Sequence, residues 1–311
     1  MILCLGTTPT VQRTMTFERV TPDTVNRAVE VIESASGKSI NVARTLRRLG
    51  KPALATGFLG GEGRRLIRED LDRAGIGHEF ANVDPKTRTC TTVIDRAAGT
   101  VTELVEEPQP VEPDAYGRLL GAMAARFRSA QCLILSGSLP PRAPQDFYAR
   151  CVRLARNAGV PVVLDARGEP LRQALAEKPT IVKPNRQELA ETAGFQIDSD
   201  AALRAAITGL LERGPRWALI TDGPRDVIAS DGRSFWSVTP PPIKPINPIG
   251  SGDAFAAGLA IALVEHSDLP TAARLAAACG AANALNSPPG HARPQDVDRL
   301  LPLAKITALP Q

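Results

Sequence analysis

The chain has 311 residues, 43% of them apolar, and carries 37 Lys and Arg against 33 Asp and Glu, a formal charge of only +4. That balance belongs to a folded globular chain and excludes the disordered and fibrous classes. Seven of the basic residues are lysines and the charges are scattered rather than gathered in a run, so no nucleic-acid stripe is expected.

The longest apolar stretch, Ala254 to Val264, has eleven residues, short of the roughly 20 that a membrane-spanning helix needs. The opening MILCLGTTPT lacks a basic segment followed by an apolar run and a cleavage site, and a cytoplasmic location is expected. Cys4, Cys90, Cys132, Cys151 and Cys279 are odd in number, far apart and without CxxC spacing. They read as buried small hydrophobes rather than a disulfide framework or a zinc site.

In chain order, β-rich runs occur at 1–5 (MILCL), 53–59 (ALATGFL), 132–136 (CLILS), 160–165 (VPVVLD), 180–183 (TIVK) and 217–221 (WALIT). Helical patterns lie between them. Val42, Ala43, Leu46 and Leu49 mark one over 39–49 with Gly50 as its stop, and Leu66, Ile67 and Leu71 mark another over 63–74 with Gly75 as its stop. Continuous apolar strands, each followed by a helix, predict a doubly wound α/β domain with a mostly parallel sheet covered on both faces. The segments 11–32 and 88–107 break the alternation. In the second, CTTVID and TVTELVEE read as strands around the turn RAAGT, and the two segments are expected to form a small separate sheet.

Three segments carry candidate chemistry. In NPIGSGDAFAAGLA a loop runs through Gly250, Ser251 and Gly252 into an apolar helix bearing Asp253. Glycines before a helix let several N–H groups converge where the helix dipole adds about half a positive charge, which makes an anion hole. A carboxylate beside a bound phosphate there could take a proton from an attacking hydroxyl; the alternative is that Asp253 is an ordinary N-cap. In SGKSINVA the glycine a P-loop needs is Ile32, so the Walker reading fails. What remains is a loop placing Lys38 and Asn41 near a helix start, suited to an anionic or polyhydroxylated ligand, or else a surface lysine on a capped helix.

In IVKPNRQEL, Lys183, Pro184 and Asn185 end a strand and Glu188 follows on a helix. A Lys and an Asn at a strand's carboxyl end suit phosphate, and Glu188 could hold a metal through water; a capping box is the alternative. His78, His266 and His291 lie apart and suggest neither a triad nor a metal set.

The segments SGKSINVARTLRRLG, LSGSLPP, LDARGEPL, VKPNRQEL and INPIGSGDAFAAGLA, in this order, resemble the PfkB (ribokinase-like) carbohydrate kinase family across essentially the whole chain. The likeness is greatest to its 1-phosphofructokinase and tagatose-6-phosphate kinase branch. The resemblance implies a single kinase domain over 1–311, a β-sheet lid over the sugar through which many members pair as homodimers, and ATP with Mg2+ as cofactors. By resemblance Asp253 is the base, with Gly250, Ser251 and Gly252 as anion hole. Lys183, Asn185 and Glu188 then contact the nucleotide phosphates and the magnesium network, and Thr221, Gly223 and Asn283 hold the nucleotide. Gly37, Lys38, Asn41, Arg88, Ser136 and Ser138 fall on the sugar side, with Arg88 on a substrate phosphate.

This chain departs from the branch at several points. Gln12 stands where an aspartate usually holds sugar hydroxyls. Ser36, Gly37, Lys38 and Ser39 replace GGKG, and Cys90 and Thr92 replace an asparagine and a basic residue. The expected activity is phosphoryl transfer to a hydroxyl of a sugar phosphate of the fructose 1-phosphate or tagatose 6-phosphate type. The alternatives are an unphosphorylated sugar as acceptor, or a silent sugar- or nucleotide-binding regulator.

Overall fold

The computed structural model describes residues 1–310. The N-terminal part runs β1 (Ile2–Leu5), β2 (Thr10–Phe17), β3 (Glu30–Ser36), α1 (Lys38–Arg48), β4 (Ala53–Leu59), α2 (Gly63–Arg73), β5 (Gly77–Asn82), β6 (Arg88–Asp95) and β7 (Thr100–Val105). Alternation follows, with α3 (Pro113–Arg126), β8 (Cys132–Ser136), α4 (Phe147–Asn157), β9 (Val162–Asp165), α5 (Gly168–Leu175), β10 (Ile181–Val182), α6 (Arg186–Ala193), α7 (Asp200–Leu211) and β11 (Trp217–Ile220). The chain closes with β12 (Val227–Ser230), β13 (Phe235–Thr239), α8 (Ser251–Val264), α9 (Leu269–Ala284), α10 (Pro294–Leu300) and β14 (Lys305–Leu309).

Ten strands form the large sheet in the order β14-β13-β12-β11-β10-β9-β8-β1-β4-β5. From β11 to β5 every pairing is parallel, as the apolar runs imply. Such a sheet must be covered on both faces, and β1 shows how its residues divide. Ile2 and Cys4 pack into the core that holds α1, α8 and α9, while Leu3 and Leu5 pack into the opposite core with α3, α4 and α5. All four are at most 2% exposed. Helix α8 is buried from Asp253 to Ala262, as an apolar helix without a polar face must be. It lies so close to α9 that a Cβ on Gly258 would stand 2.7 Å from Ala276 Cα. No described helix is long and apolar enough to cross a membrane.

The structure extends the expectation at both edges. Strands β12, β13 and β14 add to β11 in antiparallel fashion, and β5 adds in parallel beside β4. These short, polar-interrupted runs carry little periodicity, and β14 is exposed or half-exposed throughout. Their strand state comes from pairing rather than from their own pattern.

The two interrupting segments do form a separate four-stranded sheet, ordered β3-β2-β6-β7 with β2 and β6 parallel. Its boundaries differ from 11–32: β2 begins at Thr10, and β3 continues to Ser36, directly at the start of α1. The join to the large sheet is tight. Gly60, just after β4, donates its N–H to Thr87 Oγ1 at 3.0 Å and accepts from Thr87 N at 3.0 Å, and Thr87 leads into β6. A Cβ on Gly60 would collide with the Pro85 carbonyl and stand 2.7 Å from the Val83 carbonyl, both backbone atoms that move only with the chain. Gly60→Ala is therefore expected to cost about 1–3 kcal/mol or more, read as a lower urea midpoint; an unchanged midpoint would show that this junction yields freely.

Candidate active site

Strand ends and one helix start build the site. Ser136, Asp165 and Val182 close the adjacent strands β8, β9 and β10, with Lys183 following β10 and Thr221 following β11. Ligands of open α/β sheets gather at this carboxyl edge. Gly250 enters α8 at φ 82, a left-handed conformation open to glycine, and a Cβ there would also stand 2.7 Å from Pro289 Cβ. Gly250 is the N-cap of α8 and no side chain caps it, so Asp253 is not the N-cap. The Asp253 carboxyl instead lies 5% exposed and accepts a 2.8 Å hydrogen bond from Asn41 Nδ2, while Asn41 Oδ1 accepts from Ser36 Oγ at 2.9 Å. Burial pushes Asp253 up to about 7, against the pull of Lys38 and the Asn41 hydrogen bond.

Beneath the α8 start sits a buried charge network. Asp165, 1% exposed, accepts from Ser136 Oγ at 3.0 Å and faces Lys183 Nζ at 3.2 Å and Lys38 Nζ at 3.3 Å. Burial would raise the Asp165 carboxyl, but the two ammonium groups and Ser136 overcome it and hold it below the usual range. Burial likewise works against charge on Lys38, and Asp165, Glu188 and Asp253 together raise it above the usual lysine range. The Lys183 ammonium reaches the helix start: a Cβ on Gly252 would stand 3.8 Å from it.

The capping box expected as an alternative at 185–188 is present. Asn185 Oδ1 accepts from Glu188 N at 2.8 Å, and Glu188 Oε2 accepts from Asn185 N at 2.8 Å. The other carboxylate oxygen, Oε1, stays out of the box and lies 3.7 Å from Lys38 Nζ. Cap and site thus use different oxygens of one carboxylate.

The small sheet roofs the far side. Gln12, 2% exposed, donates to Thr92 Oγ1 at 2.9 Å, so two departures from the branch's pattern contact one another across neighbouring strands. Arg88 donates to the carbonyls of Glu106 at 3.1 Å and Thr8 at 3.4 Å, and among the described residues no carboxylate lies within ion-pair distance of it. Glu103 shares this wall; burial raises its carboxyl above the ordinary value, against Arg88.

Between roof and sheet lies a cavity of about 1030 Å³. Gln12, Gly37, Lys38, Asn41, Arg88, Lys183, Asn185, Glu188, Thr221, Gly223, Gly250, Ser251, Gly252 and Asp253 all line it. Three expected residues do not. Ser136 is 1% exposed and turned to Asp165. Ser138 lies on the surface, its carbonyl accepting from Thr7 and Thr8. Asn283, fully buried, holds the carbonyl of Ile249 rather than facing the cavity. Residues passed over in the sequence complete the wall: Asp165, Cys90, Glu103 and the proline run Pro240 to Pro242. Asp165 lies inside the LDARGEPL segment at a strand's carboxyl end, which was signal enough; the proline run carried none beyond that of a loop.

Among the described residues no three His, Cys, Asp or Glu side chains converge into a metal cage. A divalent ion here would draw most ligands from phosphate oxygens and water, which is the habit of Mg2+. Glu188 Oε1 is an acidic oxygen at this wall left outside the capping box.

A parallel α/β sheet with an uncapped glycine-rich helix start, a buried carboxylate and paired lysines at its carboxyl edge, roofed by a second sheet, is the setting of a phosphotransferase. The pfkB family carbohydrate kinase profile matches residues 1–295, and the chain belongs to this family of carbohydrate kinases. It is similar to a putative phosphofructokinase from Staphylococcus aureus at 26% identity, TM-score 0.81, over 99% of each chain. The fold is also that of a possible 1-phosphofructokinase from Thermotoga maritima (22% identity, TM-score 0.92, 100% of each chain). Escherichia coli phosphofructokinase-2 in complex with fructose-6-phosphate shares it too (24% identity, TM-score 0.88, 97% of this chain and 98% of that one).

The raised carboxyl of Asp253 has a consequence for stability. Its folded value of about 7 exceeds the unfolded value near 3.8, so the protonated form favours folding. That contribution is complete below pH 4 and is lost as pH rises through 7. Asp253→Asn cannot ionise and should exceed the parent by on the order of a few kcal/mol at pH 8, with the gap closing near pH 4. Paired urea titrations check this; a pH-independent gap would remove the shift.

Proposed function

We propose that this kinase transfers the terminal phosphoryl group of ATP to a hydroxyl of a sugar phosphate, with Asp253 as the base. The observation that carries the reading is the Asp253 carboxyl, buried at the cavity wall beside the Gly250–Gly252 turn and poised near neutrality. A general base works best with its pKa close to the working pH. The acceptor oxygen attacks the phosphorus, its proton passes to Asp253, and the bond from phosphorus to the leaving diphosphate oxygen breaks, with no covalent enzyme intermediate. Asn41 orients the carboxylate. The amides of residues 250–252 and the Lys183 ammonium face the charge that develops, and Asp165 keeps that ammonium in place. When bound, Mg2+ would supply charge neutralisation on the nucleotide phosphates, and Glu188 would hold it through water. Asn185, Thr221 and Gly223 serve the nucleotide side; Gln12, Gly37 and Asn41 serve the sugar.

Arg88 supports a phosphate on the acceptor. Two main-chain carbonyls each take an N–H from one terminal nitrogen and hold the guanidinium at the cavity without neutralising it, which leaves a second N–H on each nitrogen for an anion. Lys38, already facing Asp165 and Glu188, serves as a shared cation between the two substrates. The small sheet acts as a lid that keeps water from the transfer. Exposed Val31 and Leu104 on its edge strands support pairing of two copies there.

Asp253→Asn should lower turnover by roughly 10² to 10⁴ while nucleotide affinity stays near the parent's, measured by coupled assay and calorimetry. Turnover of the parent should fall about tenfold per pH unit below 7 as the base protonates. An Asn variant within a few-fold of the parent would remove Asp253 from the mechanism.

Across a panel of sugars and sugar phosphates, phosphorylated acceptors should react fastest. Arg88→Ala should then reduce kcat/KM for them by about one to two orders of magnitude and leave ATP affinity alone. Faster turnover of unphosphorylated sugars, unaffected by Arg88→Ala, would reassign the acceptor.

A further inference from the structure

We infer that the segment 286–290, latched by the buried amides of Asn247 and Asn283, is the device that positions the Gly250 turn and Asp253 for transfer; this rests on the kinase reading above. Both amides are 0% exposed, and each ties the Gly250 loop to this segment. Asn247 Nδ2 donates to the Ser287 carbonyl at 2.6 Å, and its Oδ1 accepts from Ile249 N at 3.0 Å. Asn283 Nδ2 donates to the Ile249 carbonyl at 2.9 Å and lies 3.4 Å from Ser251 Oγ, while its Oδ1 accepts from Gly290 N at 2.8 Å. Two side chains thus clamp residues 249 and 251, on either side of the left-handed Gly250.

The segment also touches both neighbours of Asp253. Pro289 Cβ lies 2.7 Å from where a Gly250 Cβ would be. On its other side, Gly290 is packed so closely on α1 that a Cβ would stand 2.9 Å from the carbonyl of Asn41, the residue whose amide holds the Asp253 carboxylate. Wedged between the Gly250 turn and Asn41, the segment sets how the Asn41 amide meets the Asp253 carboxylate at the start of α8. Neither amide lines the cavity, so both are positioning residues that act without touching substrate.

Positioning predicts a loss in kcat rather than in affinity, because a misplacement of about 1 Å can cost up to roughly 10²-fold in rate. Asn247→Ala and Asn283→Ala should each lower kcat about 10- to 100-fold, with KM for ATP and for the sugar phosphate within about threefold of the parent. The double variant should fall no more than about threefold below the worse single one, since both amides act through one segment. Gly290→Ala strains the left-handed residue whose N–H meets Asn283 Oδ1 and disturbs the same wedge from the α1 side; it should show the same kcat-only loss and, where it folds, decides the matter if an Asn variant does not. Folded variants, judged by thermal melting, whose kcat stays within twofold of the parent would overturn the inference. So would a loss confined to KM for ATP, which would return Asn283 to the nucleotide. A parent that phosphorylates no acceptor would instead defeat the kinase reading itself.

Discussion

One buried carboxylate organises the site. Asp165 lies 1% exposed with an ammonium on each of its oxygens, Lys183 at 3.2 Å and Lys38 at 3.3 Å. A buried ion pair is no reliable source of stability, because desolvation offsets most of the attraction. What it supplies here is orientation: Lys183 follows β10 on the large sheet, and Lys38 opens α1 directly after the small one. The same carboxylate therefore ties the large-sheet side of the cavity to the α1 side, and either lysine that swings away leaves one Asp165 oxygen without its cation.

The remaining charges fall into place around that pair. Asp253 is held up near 7 by burial, yet Lys38 and Lys183 keep its ionised form within reach, so the carboxyl is neither permanently protonated nor permanently charged. Glu188 divides its oxygens between capping α6 and facing Lys38. On the roof, Gln12 and Thr92 form a neutral hydrogen bond where the related branch has a carboxylate and a basic residue, while Arg88 keeps its charge. The roof of the cavity thus presents Arg88 beside a neutral amide–hydroxyl pair.

Much of this was legible along the chain. Six apolar runs became parallel strands because a strand buried on both faces must be apolar throughout, and Gly50 and Gly75 ended their helices at positive φ as expected. The turn-to-helix chemistry of residues 250–253 and 183–188 was readable for the same reason: cradles and caps are made by residues a few positions apart. The edge strands β12 to β14 were not, since their polar-interrupted runs become strands only by pairing.

The sequence by itself determined the fold class, through strand and helix periodicity, and set Asp253 beside a glycine turn at a helix start, while the reading of that residue as a base came from the family resemblance. Only the tertiary structure decided that Asp165 serves both lysines, that Gln12 meets Thr92 across 80 residues, and that Ser136 and Asn283 turn away from the cavity. Those outcomes depend on which strand ends are neighbours and where each buried polar atom finds its partner, and a partner far along the chain leaves no mark on the local pattern.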